Sequence, residues 1–178
     1  LPGSNGASTL SYPDQCTQLE SLLEDAVRLR LIADVPLGAF LSGGIDSSVI
    51  VALAKRHTPN LNTFSIGFQD EGYFDETPYA NLVAKHFDTN HTVFKLRNDD
   101  LLQSLQSLLD YSDEPFADSS ALLVNILSKE TRKHVTVALS GDGGDELFAG
   151  YNKHYGEFKM REGKWDAKVL SSLLPLWK

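Results

Sequence analysis

Apolar residues recur along this chain at two periods, and each change of period marks an element. Leu19, Leu22, Leu23, Ala26 and Val27 fall three and four residues apart. That spacing predicts an amphipathic helix over about residues 15–33, ended by Asp34-Val35-Pro36. Ala39-Phe40-Leu41 is a short apolar run that stops at Ser42-Gly43-Gly44, and helical spacing resumes through Val49–Lys55. Phe64, Ile66 and Phe68 alternate with other residues and predict a second strand over 62–68, followed by a helix through Tyr79–Ala84 and a third strand over 91–96. Residues 99–109 and 121–133 read as helices. Val135–Leu139 is a near-continuous apolar run of the kind buried in parallel sheets, and it ends at Ser140-Gly141-Asp142-Gly143-Gly144.

Strands that alternate with helices predict an α/β fold, an open, doubly wound parallel sheet with helices on both faces and right-handed crossovers. The 178 residues, 42% hydrophobic and 22% charged, suit one compact domain. Residues 1–15, rich in Gly, Ser, Pro and Asn, read as a linker or domain edge.

Charge narrows the function. A formal net charge of -8 argues against nucleic acid held by simple phosphate neutralisation. No apolar run approaches the length of a membrane span, so no membrane partner is expected. The single Cys16 makes no internal disulfide and fits a reducing compartment, read here as cytoplasm. The five histidines lack metal-ligand spacing and read as surface or packing residues. There is no G-x-S-x-G elbow for a serine hydrolase.

The candidate chemistry lies in the two glycine loops, both at strand ends where open parallel sheets bind ligands. Ser42-Gly43-Gly44-Ile45-Asp46-Ser47-Ser48 opens a helix, so free backbone N–H groups and the positive dipole end converge on one volume suited to an anion. The serine hydroxyls can donate further hydrogen bonds to phosphate. The loop has no Lys, so a metal must supply positive charge, and Asp46 is the nearest carboxylate. A tight turn with a capped helix is the plainer reading of a bare Gly-Gly pair, and the full string after a strand is more specific. It resembles the pyrophosphate-binding loop of the ATP pyrophosphatase superfamily. The second loop gathers Asp142, Asp145 and Glu146, which read either as a solvated acidic turn or as a cation site.

Five blocks together carry a narrower resemblance: Leu41–Ser48, Phe64-Ser65-Ile66-Gly67-Phe68, Asp75-Glu76-Thr77-Pro78-Tyr79-Ala80, Asp113–Ser120 and Leu139–Tyr151. In order and spacing they resemble the synthetase domain of glutamine-hydrolysing asparagine synthetases. The resemblance implies an adenine nucleotide alpha hydrolase-like fold over residues 19–160. Residues 1–18 would be a linker from a preceding glutaminase domain, and 161–178 the start of a further helical region. It further implies that Leu41 and Ile66 line the adenosine pocket, that Ser42, Gly43, Gly44, Asp46, Ser47 and Ser48 cradle pyrophosphate, and that Ser140 and Gly141 contact the nucleotide. Asp46 and Asp145 would share Mg²⁺, and Asp142, a Glu in many members, would serve acyl-adenylate formation.

The implied reaction joins the β-carboxylate of aspartate to AMP and then to ammonia, which the glutaminase domain of the same full-length chain would supply. The resemblance leaves a homodimer open, and implies that this portion alone is inactive without a phosphate-contacting Lys beyond Tyr151. Lys153, Lys159 and Lys164 read as surface charges instead. Two alternatives stand beside it: a homologue amidating another carboxylate, in the manner of β-lactam synthetase or a polysaccharide-modifying enzyme, and a non-catalytic nucleotide-binding module. Asp113, Glu114, Asp118, Ser119 and Ser120 read as a mixture of helix caps and acceptor-pocket residues.

Overall fold

The computed structural model describes residues 9–69, 75–114, 118 and 120–161. The chain divides after Ser140 into two compact units. The first holds α1 (Tyr12–Arg30), β1 (Leu37–Phe40), α2 (Ile45–His57), β2 (Asn62–Phe68), α3 (Thr77–His86), β3 (Asn90–Leu96), α4 (Asn98–Tyr111), α5 (Ser120–Thr131) and β4 (Val137–Leu139). Its four strands form one sheet in the order β3-β2-β1-β4, with every pair parallel. The register sets Ala39 against Thr63 on one side and Leu139 on the other.

Side chains alternate across a strand, so the sheet has two distinct faces. On one, Ala39 and Leu41 join Val27 of α1, Val51 and Ala54 of α2 and Ala80 and Ala84 of α3 in a buried cluster. On the other, Phe64 stacks on Phe94 with ring centroids 6.0 Å apart, and His134 lies against both rings. Here α5 packs on β2 and α4 on α5. Gly38 keeps β1 close to β2, because a Cβ there would stand 2.8 Å from Asn62 O and from the Phe64 ring. Arg56 of α2 pairs with Glu20 and Glu24 of α1 at 2.7 and 2.8 Å. These exposed pairs contribute little beside the apolar contact they border.

The elements follow the expected order, with three differences. Helix α1 begins at Tyr12, inside the stretch expected to be a linker, because Ser11 Oγ accepts from the Asp14 amide and a proline occupies the first turn. Its end falls at Arg30 rather than 33. Strand β4 is shorter than the apolar run. The Val135 amide is taken by Thr131 O at the end of α5, and the Thr136 amide by Pro36 O. Among the described residues β4 is an edge strand, and Val137 is 38% exposed rather than buried on both sides.

The second unit holds α6 (Gly144–Phe148) and α7 (Asn152–Arg161). The expected helical region over 161–178 lies, beyond Arg161, outside the described residues. No helix among the described residues is long and apolar enough to cross a membrane.

Candidate functional site

From β1 the chain winds through β2 to β3, then returns to place β4 on the far side of β1. The winding therefore reverses between β1 and β4, which is where open α/β sheets bind ligands, beyond the carboxyl ends of the strands. Leu41 and Ser42 leave β1 at that point and Ser140 leaves β4.

The loop after β1 is built around glycine. Gly43 has φ +88°, and a Cβ there would stand 2.6 Å from Ala80 N, Tyr79 C and Tyr79 Cβ. No larger residue fits, because the wall behind it is the backbone of α3. Gly44 caps α2 without a side chain, and the first backbone bond of the helix runs from the Ser48 amide to Gly44 O. The amides of Ile45, Asp46 and Ser47 precede that bond and have no partner within the helix. They stand at the positive end of a 13-residue helix.

The loop's hydroxyls are engaged within the loop itself. Ser47 Oγ donates to Gly44 O at 3.2 Å and Ser48 Oγ to the same oxygen at 2.6 Å. The Ser42 and Ser47 hydroxyls pair at 3.0 Å, while the Ser42 amide donates to Ser47 Oγ and the Gly44 amide to Ser42 Oγ. With Ser47 donating to Gly44 O, the Ser42 hydroxyl donates to Ser47, and all three hydroxyl protons hold the loop in shape. Short hydroxyl side chains compete for local backbone groups in this way. Ser47 is buried, whereas Ser42 is exposed. The groups left open to an anion are the backbone amides.

Leu41 is 1% exposed, and its side chain belongs to the buried cluster. By strand parity Ile66 lies on the opposite face, half-buried. A ligand that meets both therefore meets Leu41 through its backbone, whose amide already donates to Phe64 O at 2.8 Å. The Asp46 carboxylate is half-buried and makes no ion pair or hydrogen bond with the described residues.

The second loop stands by itself in the second unit. Gly143, with φ +94°, caps α6, and Ala149, with φ +58°, ends it. The Gly150 amide donates to Asp145 O at 3.0 Å. A Cβ on Gly150 would stand 1.8 Å from Asp145 Oδ1, so glycine leaves room for that carboxylate. Glu146 is tied elsewhere, accepting a 2.6 Å hydrogen bond from the Tyr151 hydroxyl. The bond holds the Glu146 carboxyl below its ordinary range and, from the other side, pushes the Tyr151 phenol up to about 12. Lys153 Nζ lies over the Tyr151 ring, 4.6 Å from its centroid, and Lys159 over Tyr155. Both lysines thus pack against aromatic rings as surface cations. Asp142 is exposed and Gly141 half-buried.

Asp118 acts as a cap. Its Oδ1 accepts from the Ser120 amide at 2.9 Å and hydroxyl at 2.7 Å, which lower its pKa. Asp113 and Glu114 are exposed, and Ser119 lies outside the described residues. Of the histidines, His57 pairs with Glu24, and His91 is half-buried between the Thr63 and Ser65 hydroxyls, at 2.9 and 3.2 Å. Two features carry no assigned role in the sequence: the first turn of α3 behind Gly43, and the Glu146–Tyr151 bond. Gly67, a glycine inside an apolar strand, is the available signal for the first, since such a residue marks a close approach of another segment.

A surface groove of about 420 Å³, lined by no residue of either loop, runs between Glu20, Glu24 and Asp25 of α1 and His57 of α2. Arg56 and His57 already pair with two of its acids.

The chain resembles known proteins in sequence and in fold. The family model for asparagine synthase matches residues 18–175. The putative glutamine-hydrolyzing asparagine synthetase 2 of Methanocaldococcus jannaschii is 43% identical over 164 residues, spanning 89% of this chain and 32% of that protein. The glutamine-hydrolyzing asparagine synthetase 1 of Bacillus subtilis is 42% identical over 135 residues, spanning 76% of this chain and 21% of that protein. The chain thus covers a third or less of the length of these relatives. Among solved structures, NMN synthetase from Francisella tularensis superposes with a TM-score of 0.51 at 17% identity, over 80% of this chain and 59% of that one, a likeness of fold. With the family model matched over most of its length, this chain belongs to the asparagine synthase family.

Proposed function

We propose that the chain is the ATP-using part of a ligase that converts aspartate to asparagine through a β-aspartyl-AMP intermediate. Its ammonia comes from glutamine, released by a glutaminase domain of the same full-length protein. The observation that carries this reading is the loop after β1, whose left-handed Gly43 and open Ile45, Asp46 and Ser47 amides stand at the switch point of a parallel sheet. Membership of the asparagine synthase family supports the choice of acceptor. The work is placed in the cytoplasm, with neither nucleic acid nor membrane as partner. A homodimer is compatible with this reading.

In this reading the loop amides bind the β- and γ-phosphates, each charge-assisted bond contributing about 1.5–3 kcal/mol. The backbone at Leu41, with Ile66, Ser140 and Gly141, receives the nucleoside and α-phosphate. A β-carboxylate oxygen of aspartate attacks the α-phosphorus, the bond to the bridging oxygen breaks, and pyrophosphate leaves. Ammonia then adds to the acyl carbon, loses a proton and expels AMP. Asp142 serves the adenylation step. Catalysis rests on alignment and on fixed N–H groups aimed at developing charge.

Mg²⁺ fits the residues present. Asp46 and Asp145 are hard oxygen donors without a cationic partner among the described residues. An ion of this type takes one or two carboxylates and completes its shell with phosphate and water. Held at Asp46, it would neutralise phosphate charge that the loop, lacking Lys, leaves uncompensated.

The test is isotope exchange between ATP and pyrophosphate in the natural full-length protein, with aspartate, other carboxylates or none. Exchange that requires aspartate is the expected result. Exchange that requires a different carboxylate would refute aspartate as acceptor, and absence of nucleotide binding would refute the whole reading.

A further inference from the structure

The first turn of α3 touches the phosphate loop at one end and the sheet at the other. At the sheet end, Gly67 near the close of β2 is buried, and a Cβ there would stand 2.7 Å from Thr77 Cγ2, 3.3 Å from Asp75 Oδ1 and 3.4 Å from Val93 Cγ1. The Thr77 methyl therefore fills the notch that glycine leaves. Thr77 is 9% exposed, and its amide donates to Asp75 Oδ1 at 3.1 Å, which fixes the start of the helix. At the loop end, the Tyr79 and Ala80 amides both donate to Glu76 O, closing the turn. That closed turn is the surface against which Gly43 has no room for a Cβ.

We propose that Thr77 is a positioning residue for nucleotide binding. It seats the first turn of α3 in the Gly67 notch, so that the Tyr79–Ala80 backbone forms the rear wall of the phosphate loop and holds Gly43 left-handed. The proposal rests on the nucleotide-binding reading above. Thr77 and Ala80 lie within one helical turn, so a shift at the notch reaches the wall with little loss. An anion cradle built from backbone amides has no flexible side chains to absorb such a shift.

A methyl exchange tests this. Gly67→Ala adds a Cβ only 2.7 Å from Thr77 Cγ2, and Thr77→Ser removes that methyl. In the double variant the methyl introduced by Gly67→Ala no longer meets Thr77 Cγ2 and partly fills the notch from the strand side. ATP affinity would be read by calorimetry on the natural full-length protein, alongside thermal unfolding of each variant.

Gly67→Ala is expected to weaken ATP binding by about tenfold to a hundredfold, the scale of an overpacked contact passed on to the loop. Thr77→Ser, which needs no rearrangement to fold, should weaken it several-fold by leaving the notch empty. The double variant should recover toward wild type, a coupling that two independent defects would not show. Thr77→Ser binding ATP like wild type overturns the proposal, as does a double variant no better than the poorer single. Loss of stability with ATP affinity unchanged means that the notch serves packing alone, and also overturns it. Wild type that binds no ATP refutes the nucleotide reading instead, a distinct outcome.

Discussion

The two glycine loops carry nearly the same backbone twist, with Gly43 at φ +88° and Gly143 at φ +94°, and reach it by different means. Around Gly43 the α3 backbone leaves no space for a Cβ, while a Cβ on Gly143 would meet no described residue within 4 Å beyond its chain neighbours. The first loop takes its shape from the packed interior behind it. The second takes its shape from bonds a few residues away, from Gly150 to Asp145 and from Tyr151 to Glu146. A loop set by the interior is insensitive to its own exposed side chains and sensitive to whatever moves the core. A loop set by local bonds has the opposite sensitivities.

The largest expected difference comes from the same substitution made in both. Alanine at a left-handed position costs about 1–2 kcal/mol at either site. Gly43→Ala adds overlap with fixed backbone, about 1–3 kcal/mol more by the scale of overpacked cores. It should therefore lower the denaturant midpoint much further than Gly143→Ala and abolish ATP binding. Equal losses of stability in the two variants would break the comparison.

Next in size is Gly150→Ala, whose Cβ would fall on Asp145 Oδ1. A carboxylate end can swing aside, so little stability should be lost. If Asp145 serves the cation as proposed, the Mg²⁺ concentration for half-maximal ATP–pyrophosphate exchange should rise. An unchanged Mg²⁺ requirement would remove Asp145 from that role.

How much of this is legible in the sequence follows the same division. Strand, glycine turn and helix at Leu37–His57 follow from residues adjacent in sequence, and the string Ser42–Ser48 marks the anion loop for the same reason. The wall behind Gly43 comes from Tyr79 and Ala80, brought there only by the crossover that carries β2 into α3. No local pattern encodes that contact. The start of α1 is legible and is masked by composition, since Ser11 and Pro13 are a capping signal set in a Gly- and Ser-rich stretch. Helix α7 has a polar sequence with few apolar positions to give it a period. That the serine hydroxyls bond within the loop is not legible, because spacing shows where a side chain starts and leaves open which oxygen it reaches.

The two regions should also respond to opposite ends of the pH scale. His91 of β3, whose ring reaches the Thr63 and Ser65 hydroxyls of β2, has its pKa lowered by burial, partly offset by Thr63. The unfolded chain therefore binds a proton that the folded chain refuses. The stability from neutral His91 is complete above the ordinary histidine value, about 6.5, and is lost as pH falls below it. Unfolding midpoints measured downward from neutrality should show a slope in that window that His91→Gln removes. An identical slope in the variant would assign it to other groups.

The smallest effect lies at the alkaline end and in the second loop alone. The Tyr151 phenol donates to Glu146, and its loss of a proton would set a phenolate beside that carboxylate, with Asp145 and Asp142 adding repulsion. The folded value, about 12, stands above the unfolded one, so the contribution is complete below pH 10 and is lost as pH rises toward 12. Because the pair is exposed, screening keeps its effect on stability slight, and titration of the phenol itself is the better measure. Ultraviolet difference titration of wild type against Tyr151→Phe isolates this group. Glu146→Gln keeps an acceptor and removes the charge, and should bring the phenol back toward its ordinary value. The bond works both ways, so Tyr151→Phe should raise the Glu146 carboxyl toward the ordinary range of an exposed glutamate. A Tyr151 that titrates normally in wild type would show that the bond does not hold the second loop, leaving Gly150 and Asp145 as its local support.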